Sequence, residues 1–126
     1  MNSSQRVERV SLAEKFALFS EHWTPKVVGQ INDMHVKIAK VEGEFVWHSH
    51  DHEDELFMVV KGRLRLRLRD QDDVVLEPGD FAVVPMGVEH LPVAEEEVHL
   101  LMIEPATTVN TGTAGGDRTV ADLERL

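Results

Sequence analysis

The stretch WHSHDHEDELF, residues 47–57, sets three histidines on alternate positions and follows them with acidic side chains. In an extended chain, residues two apart share a face. His48 and His50 therefore project together, while Trp47 and Ser49 turn to the other side. Two imidazoles in one small volume repel when protonated and need partners when buried. A divalent cation meets both needs, because neutral imidazole nitrogen is a favoured donor to first-row transition metals. Glu55 opens the next apolar run and shares a face with Phe57 and Val59, which would add a carboxylate to the same volume. Asp51, Glu53 and Asp54 read instead as solvated turn residues. A fourth donor is expected from far along the chain, and PGDFAVVPMGVEH offers one: Gly79, Pro85 and Gly87 make corners, and His90 opens a new strand directly after them. His22, His35 and His99 read as surface or packing residues.

Short strands must bring these donors together. The chain has 126 residues, which suits one domain with a modest core, and its 42% hydrophobic content argues against disorder. From Lys26 to about Glu104 the pattern is one of β segments separated by turn residues. KVVGQI and MHVKIAKV flank Asn32-Asp33, and EFVWHSH, ELFMVVKG, RLRLRLR, VVLEPGD, FAVVP, EHLPV and EVHLLMIEP follow. Many short strands with Pro and Gly at the corners argue for an antiparallel barrel or sandwich. One helix precedes them. Ser11 and Glu14 form a capping box, Leu12, Phe16 and Phe19 follow at helical spacing, and Thr24-Pro25 closes the run.

The tail begins as a Thr- and Gly-rich loop, and Thr119 and Asp122 predict a short last helix over VADLERL. The expected organisation is an N-terminal helical segment over 1–25, a barrel over 26–105 and a tail over 106–126. In RLRLRLR, strict alternation turns Leu64, Leu66 and Leu68 to the core. It leaves Arg63, Arg65, Arg67 and Arg69 in water, where Asp70, Asp72 and Asp73 offset them.

At this point the sequence resembles a known family. His48-x-His50, four residues, Glu55, six residues and Gly62 make one motif; Gly79, five residues, Pro85-x-Gly87, two residues and His90 make the other. These resemble the two motifs of small, conserved-barrel cupins, and together they cover about residues 43–94. The resemblance implies an all-β, double-stranded β-helix (RmlC-like jelly roll) flanked by the two short helices. It further implies that His48, His50, Glu55 and His90 bind one metal inside the barrel. Two positions depart from the pattern. Gly43 precedes His48 by four intervening residues where five are usual, and Ala94 stands where the second motif often ends in asparagine. His52 is left as an entrance or supporting residue.

Three imidazoles and a carboxylate suit Mn, Fe, Co, Ni, Cu or Zn. An open coordination position favours catalysis over a structural role, and Phe57, Val59, Leu64, Leu66, Phe81, Val83, Met102 and Ile103 are candidates to line an apolar pocket. The resemblance brings the chain nearest to single-domain cupins described as mannose-6-phosphate-isomerase-like, a label that specifies no reaction. Three functions stay open. The first is a small metalloenzyme, dioxygenase or isomerase/lyase, acting on an oxygenated small molecule, with Glu55 as the catalytic proton carrier. The second is a non-catalytic cupin that binds or senses a sugar or metabolite. The third is a metal-free barrel with a histidine base.

A formal net charge of -10 speaks against nucleic acid or an anionic membrane as partner. The lack of cysteine and of any signal-like or spanning segment makes the cytoplasm the expected location. A homodimer joined near the KVVGQI edge is expected.

Overall fold

The computed structural model describes residues 6–126, so residues 1–5 of the expected N-terminal segment lie outside the described residues. Helix α1 runs Leu12–Phe16, and seven strands follow: β1 Lys26–Ile31, β2 Met34–Glu44, β3 Glu55–Lys61, β4 Leu64–Leu68, β5 Val74–Leu76, β6 Phe81–Val84 and β7 His90–Pro105. The strands pair in the order β1-β2-β7-β3-β6, while β4 pairs with β5 and with the first part of β7. All pairings are antiparallel. This is the all-β jelly roll expected from the sequence.

Strand β7 organises the molecule. Its first residues pair with β4 (Leu66↔Pro92, Leu68↔His90), and its later ones pair with β3 (Phe57↔Met102). Strand β2 runs along it from Glu44↔Val93 to Met34↔Pro105. EHLPV and EVHLLMIEP, read as two strands, are therefore one strand that changes partner, and the exposed run Glu95–Glu97 sits at the change.

Inside the barrel, Ala39, Val41, Phe57, Val59, Leu64, Leu66, Val98, Leu100 and Met102 pack into one core cluster. Period-two alternation explains why each strand gives it every second residue. The parity of β6 is opposite to the expected one. Ala82 and Val84 pair with Phe57 and Glu55, so Phe81 and Val83 face outward at 61% and 51% exposure. Ile103 pairs with Leu56 and also lies on the outer side.

Asn32-Asp33 forms the tight β1–β2 turn, with Asn32 at φ 52°, a conformation its short polar side chain tolerates. Ser11 caps α1 by accepting from Glu14 N–H at 3.2 Å. The helix ends at Phe16, well before Thr24-Pro25, yet Phe16 and Phe19 still turn inward onto Val28 and Ile38.

The expected C-terminal helix is absent. Val27 donates to Glu124 O (2.9 Å) and accepts from Leu126 N–H (3.0 Å), so the chain end adds a bridge alongside β1. The open backbone groups of an edge strand compete successfully with seven residues of marginal helix. The four arginines do face solvent. Their carboxylate partners are Glu77 for Arg63, Asp73 for Arg65, Glu44 for Arg67 and Glu89 for Arg69, of which the sequence had suggested Asp73 alone.

Candidate metal centre

Three separate stretches of chain bring their donors to one point. His48 and His50 come from the irregular segment after β2, Glu55 is the first residue of β3, and His90 is the first of β7. The HSH segment was expected as a strand and is instead a single bridge. His48 N–H donates to His90 O at 3.1 Å, and His90 N–H donates to His48 O at 2.9 Å. That reciprocal pair sets the two rings 4.2 Å apart.

His50 is held from the second motif, where Gly87 N–H donates to His50 O at 2.8 Å. Gly87 sits at φ 82°, which an L side chain resists. Asp54, read from sequence as a solvated turn residue, accepts from Met86 N–H at 2.9 Å and so braces the same corner. His52 is exposed and outside the cluster.

The four residues His48, His50, Glu55 and His90 are buried, none more than 4% exposed, and offer donor atoms that all lie within 4.8 Å of one another. Donors ~2.1 Å from a common ion stand at most about 4.2 Å apart, so shifts of a few tenths of an ångström close the set.

The tautomers suit this purpose. His48 Nδ1–H donates to Val46 O at 2.8 Å and His90 Nδ1–H to Val88 O at 3.0 Å, because a carbonyl can only accept. Each Nε2 is left with its lone pair. His90 Nε2 then faces Glu55 Oε1 at 3.3 Å, and His50 Nε2 faces the same oxygen at 3.4 Å. A neutral His90, with its Nδ1 hydrogen committed to Val88 O, turns a lone pair on a carboxylate, which calls for positive charge at that point. His50 adds a second sign, since neither of its ring nitrogens has a hydrogen-bond partner although both are buried. The donor set fits a divalent ion.

The charges agree with that fit. Burial, aided by the neighbouring His90, pushes His48 down to about 4, so its imidazole is neutral at pH 7. Burial alone would raise Glu55, but the polar groups of Glu104, His50 and His90 outweigh it and hold the carboxyl well below the usual range. Glu104 goes the other way: burial and the negative charge of Glu55 push it well above, against the pull of Lys37.

Lys37 and Glu104 form a feature that sequence reasoning missed. They are 1% and 2% exposed and pair inside the barrel, Lys37 Nζ to Glu104 Oε1 at 2.9 Å. Glu104 Oε2 has no partner at hydrogen-bonding distance. Parity carried the signal, since Lys37 alternates with Ala39 and Val41, and Glu104 with Met102 and Leu100.

A cavity of about 40 Å³ opens beside the cluster, with His48, Glu55 and Glu104 as its polar groups near the centre. Phe57, Leu100 and Met102 form its wall. Trp23 and Phe45 also border it, stacked at 4.8 Å between ring centroids. At ~10–15 Å³ per water it holds about three waters as it stands. Of the residues expected to line a pocket, Phe57 and Met102 do so, Val59, Leu64 and Leu66 are core around it, and the outward-facing Phe81, Val83 and Ile103 take no part.

Residues 34–104 match the family model for the cupin domain. The chain belongs to the cupin domain family. The cupin is 36% identical over 77 residues to an uncharacterized protein of Bacillus subtilis (strain 168), YdbB, an alignment that spans 61% of this chain and 62% of YdbB, short of two thirds of the relative. Among solved structures it is similar to a cupin-2 domain containing protein from Shewanella frigidimarina, with 47% identity, a TM-score of 0.74, and coverage of 76% of this chain and 93% of that one. It shares its fold with hydroquinone 1,2-dioxygenase from Sphingomonas sp. TTNP3, at 19% identity and a TM-score of 0.67 over 75% of this chain and 72% of that one. Among the described residues, no helix is long and apolar enough to cross a membrane.

Proposed function

We propose that this cupin holds one divalent transition metal through His48, His50, Glu55 and His90, and that it is a small metalloenzyme acting on an oxygenated organic molecule. The observation that carries the reading is His50, a buried imidazole with neither nitrogen hydrogen-bonded, which faces at 3.4 Å the same Glu55 oxygen that His90 Nε2 faces at 3.3 Å. In that place a divalent ion supplies Lewis acidity toward a bound oxygen, or a seat for dioxygen.

The protein's own residues do the rest. Val46 O and Val88 O fix the tautomers of His48 and His90. Glu55, ionised and at the cavity wall, is in this reading the group that takes a proton from a bound hydroxyl when it leaves the metal during turnover. Glu104 borders the same cavity, its carboxyl raised above the usual range by burial and by the charge of Glu55 and held by Lys37 at 2.9 Å. Phe57, Met102, Trp23 and Phe45 keep water from the reacting end. The dioxygenase that shares the fold, solved with 4-hydroxybenzoate bound, makes oxygen chemistry the first class to assay. The narrow cavity favours a compact substrate.

We also propose a homodimer. The outer face of β3 and β6 carries Leu56 and Met58 beside the exposed Phe81 and Val83, an apolar strip that a second copy would cover. The C-terminal bridge already occupies part of the β1 edge, so this strip replaces the KVVGQI edge as the favoured surface. The lack of cysteine agrees with a cytoplasmic setting.

The test is elemental analysis of the purified protein, followed by oxygen consumption with small hydroxylated and diketone compounds. We expect about one transition-metal ion per chain and oxygen uptake that a chelator abolishes. Metal content near zero after loading would overturn the reading. One ion without turnover of any kind would leave a ligand-binding cupin.

A further inference from the structure

The segment that carries His48 and His50 is not a strand, yet its backbone is satisfied on both sides. On one side it is bridged to His90. On the other the partner is the tail, beyond the matched cupin domain, which ends at residue 104. Thr113 N–H donates to Ser49 O at 2.9 Å, and Thr113 Oγ1 accepts from Ser49 N–H at 3.2 Å. Both backbone groups of the residue between the two histidines therefore belong to Thr113.

Gly112 lies against the same segment. A Cβ built on it would stand 2.1 Å from Ser49 O and 3.0 Å from His50 Nδ1, and its φ of +49° is left-handed. Backbone oxygen cannot yield as a flexible side chain can, so only glycine fits. The approach is anchored from behind. Thr111 is fully buried, and Asn110 donates to Arg118 O (2.8 Å) and accepts from Val120 N–H (2.9 Å).

We infer that Gly112 and Thr113 are positioning residues of the metal centre: the tail is the missing neighbour of the HSH segment and fixes the direction of His50. The inference rests on the proposed metal reading and deepens it. Loss of outer contacts of this kind costs metal affinity without removing a donor.

The test uses the full-length protein loaded with Co(II), whose absorption reports donor geometry, with affinity read by competition against a chromophoric chelator. Gly112→Ala is expected to weaken Co(II) binding about 10-fold or more and to change the Co(II) spectrum. Thr113→Val is expected to weaken it about fivefold, and Thr113→Ser to keep it near wild type, since what valine loses is the hydroxyl that bonds Ser49 N–H at 3.2 Å and Ser49 Oγ at 3.4 Å. Circular dichroism and the melting temperature of the metal-free variants separate folding from positioning. If Gly112→Ala does not fold, the Thr113 pair decides. Wild-type affinity and spectrum in Thr113→Val, or in a folded Gly112→Ala, would overturn the inference while leaving the metal site intact. Failure of the wild-type protein itself to bind Co(II) would sink the metal reading and this inference with it.

Discussion

Two parts of this cupin use the same spacing for opposite ends. His48 and His50 stand two residues apart, and so do the successive arginines from Arg63 to Arg69, in and beside β4. The histidines are 4% exposed and His50 has no hydrogen-bond partner, whereas each arginine side chain is about half exposed or more and has a carboxylate within 4.0 Å. Alternation alone therefore says only that side chains share a face. What makes one set a site is burial without partners, together with Glu55 and His90 arriving from elsewhere. What makes the other a solvated surface is water, and the abundance of acidic residues in a chain of net charge -10.

Breaking the first set should have the largest effect. His50→Ala is expected to lose most bound metal, measured by elemental analysis after loading, while the barrel keeps its β circular dichroism. Unchanged metal content would show that the donors had been misassigned.

A pH titration sharpens the contrast more gently. His48 is held at about 4 in the folded protein by burial and by His90, against 6.5 ordinarily. The unfolded chain therefore gains a proton that the folded one refuses as pH falls through 6.5. Stability of the metal-free protein should drop between pH 6.5 and 4, by roughly 3 kcal/mol if the full shift is realised, and level off below. Urea melts across this range read the slope, and His48→Gln should flatten it.

The smallest effect belongs to the arginines. Arg65→Gln, which loses the 3.5 Å contact with Asp73, should change stability by less than about 1 kcal/mol, an amount that vanishes in high salt.

The strands and the four donors could be read from the sequence because each rests on a local rule. Strand parity turned Leu64 and Leu66 inward, and the corners at Gly79 and Gly87 marked where the second motif bends. The misreadings share one physical cause: they were settled by partners distant in the chain. Parity on β6 was fixed by pairing with β3, which turned Phe81 and Val83 outward. VADLERL lost its helix to the open edge at Val27, and Asp54 and Thr113 acquired roles only because Met86 and Ser49 came to lie beside them. The Lys37–Glu104 pair was legible in principle, as a lysine and a glutamate at inward positions of apolar faces, but the mutual neutralisation that permits such burial shows only in three dimensions.

The chain has two tryptophans and no tyrosine, and one of the two indoles borders the cavity. Trp47 precedes His48 and lies under the guanidinium of Arg69 at 4.2 Å, while Trp23 stacks on Phe45 beside the cavity. Ultraviolet emission from this protein thus has two sources, and quenching or a shift of the Trp23 share during titration follows occupancy of the cavity without any attached dye.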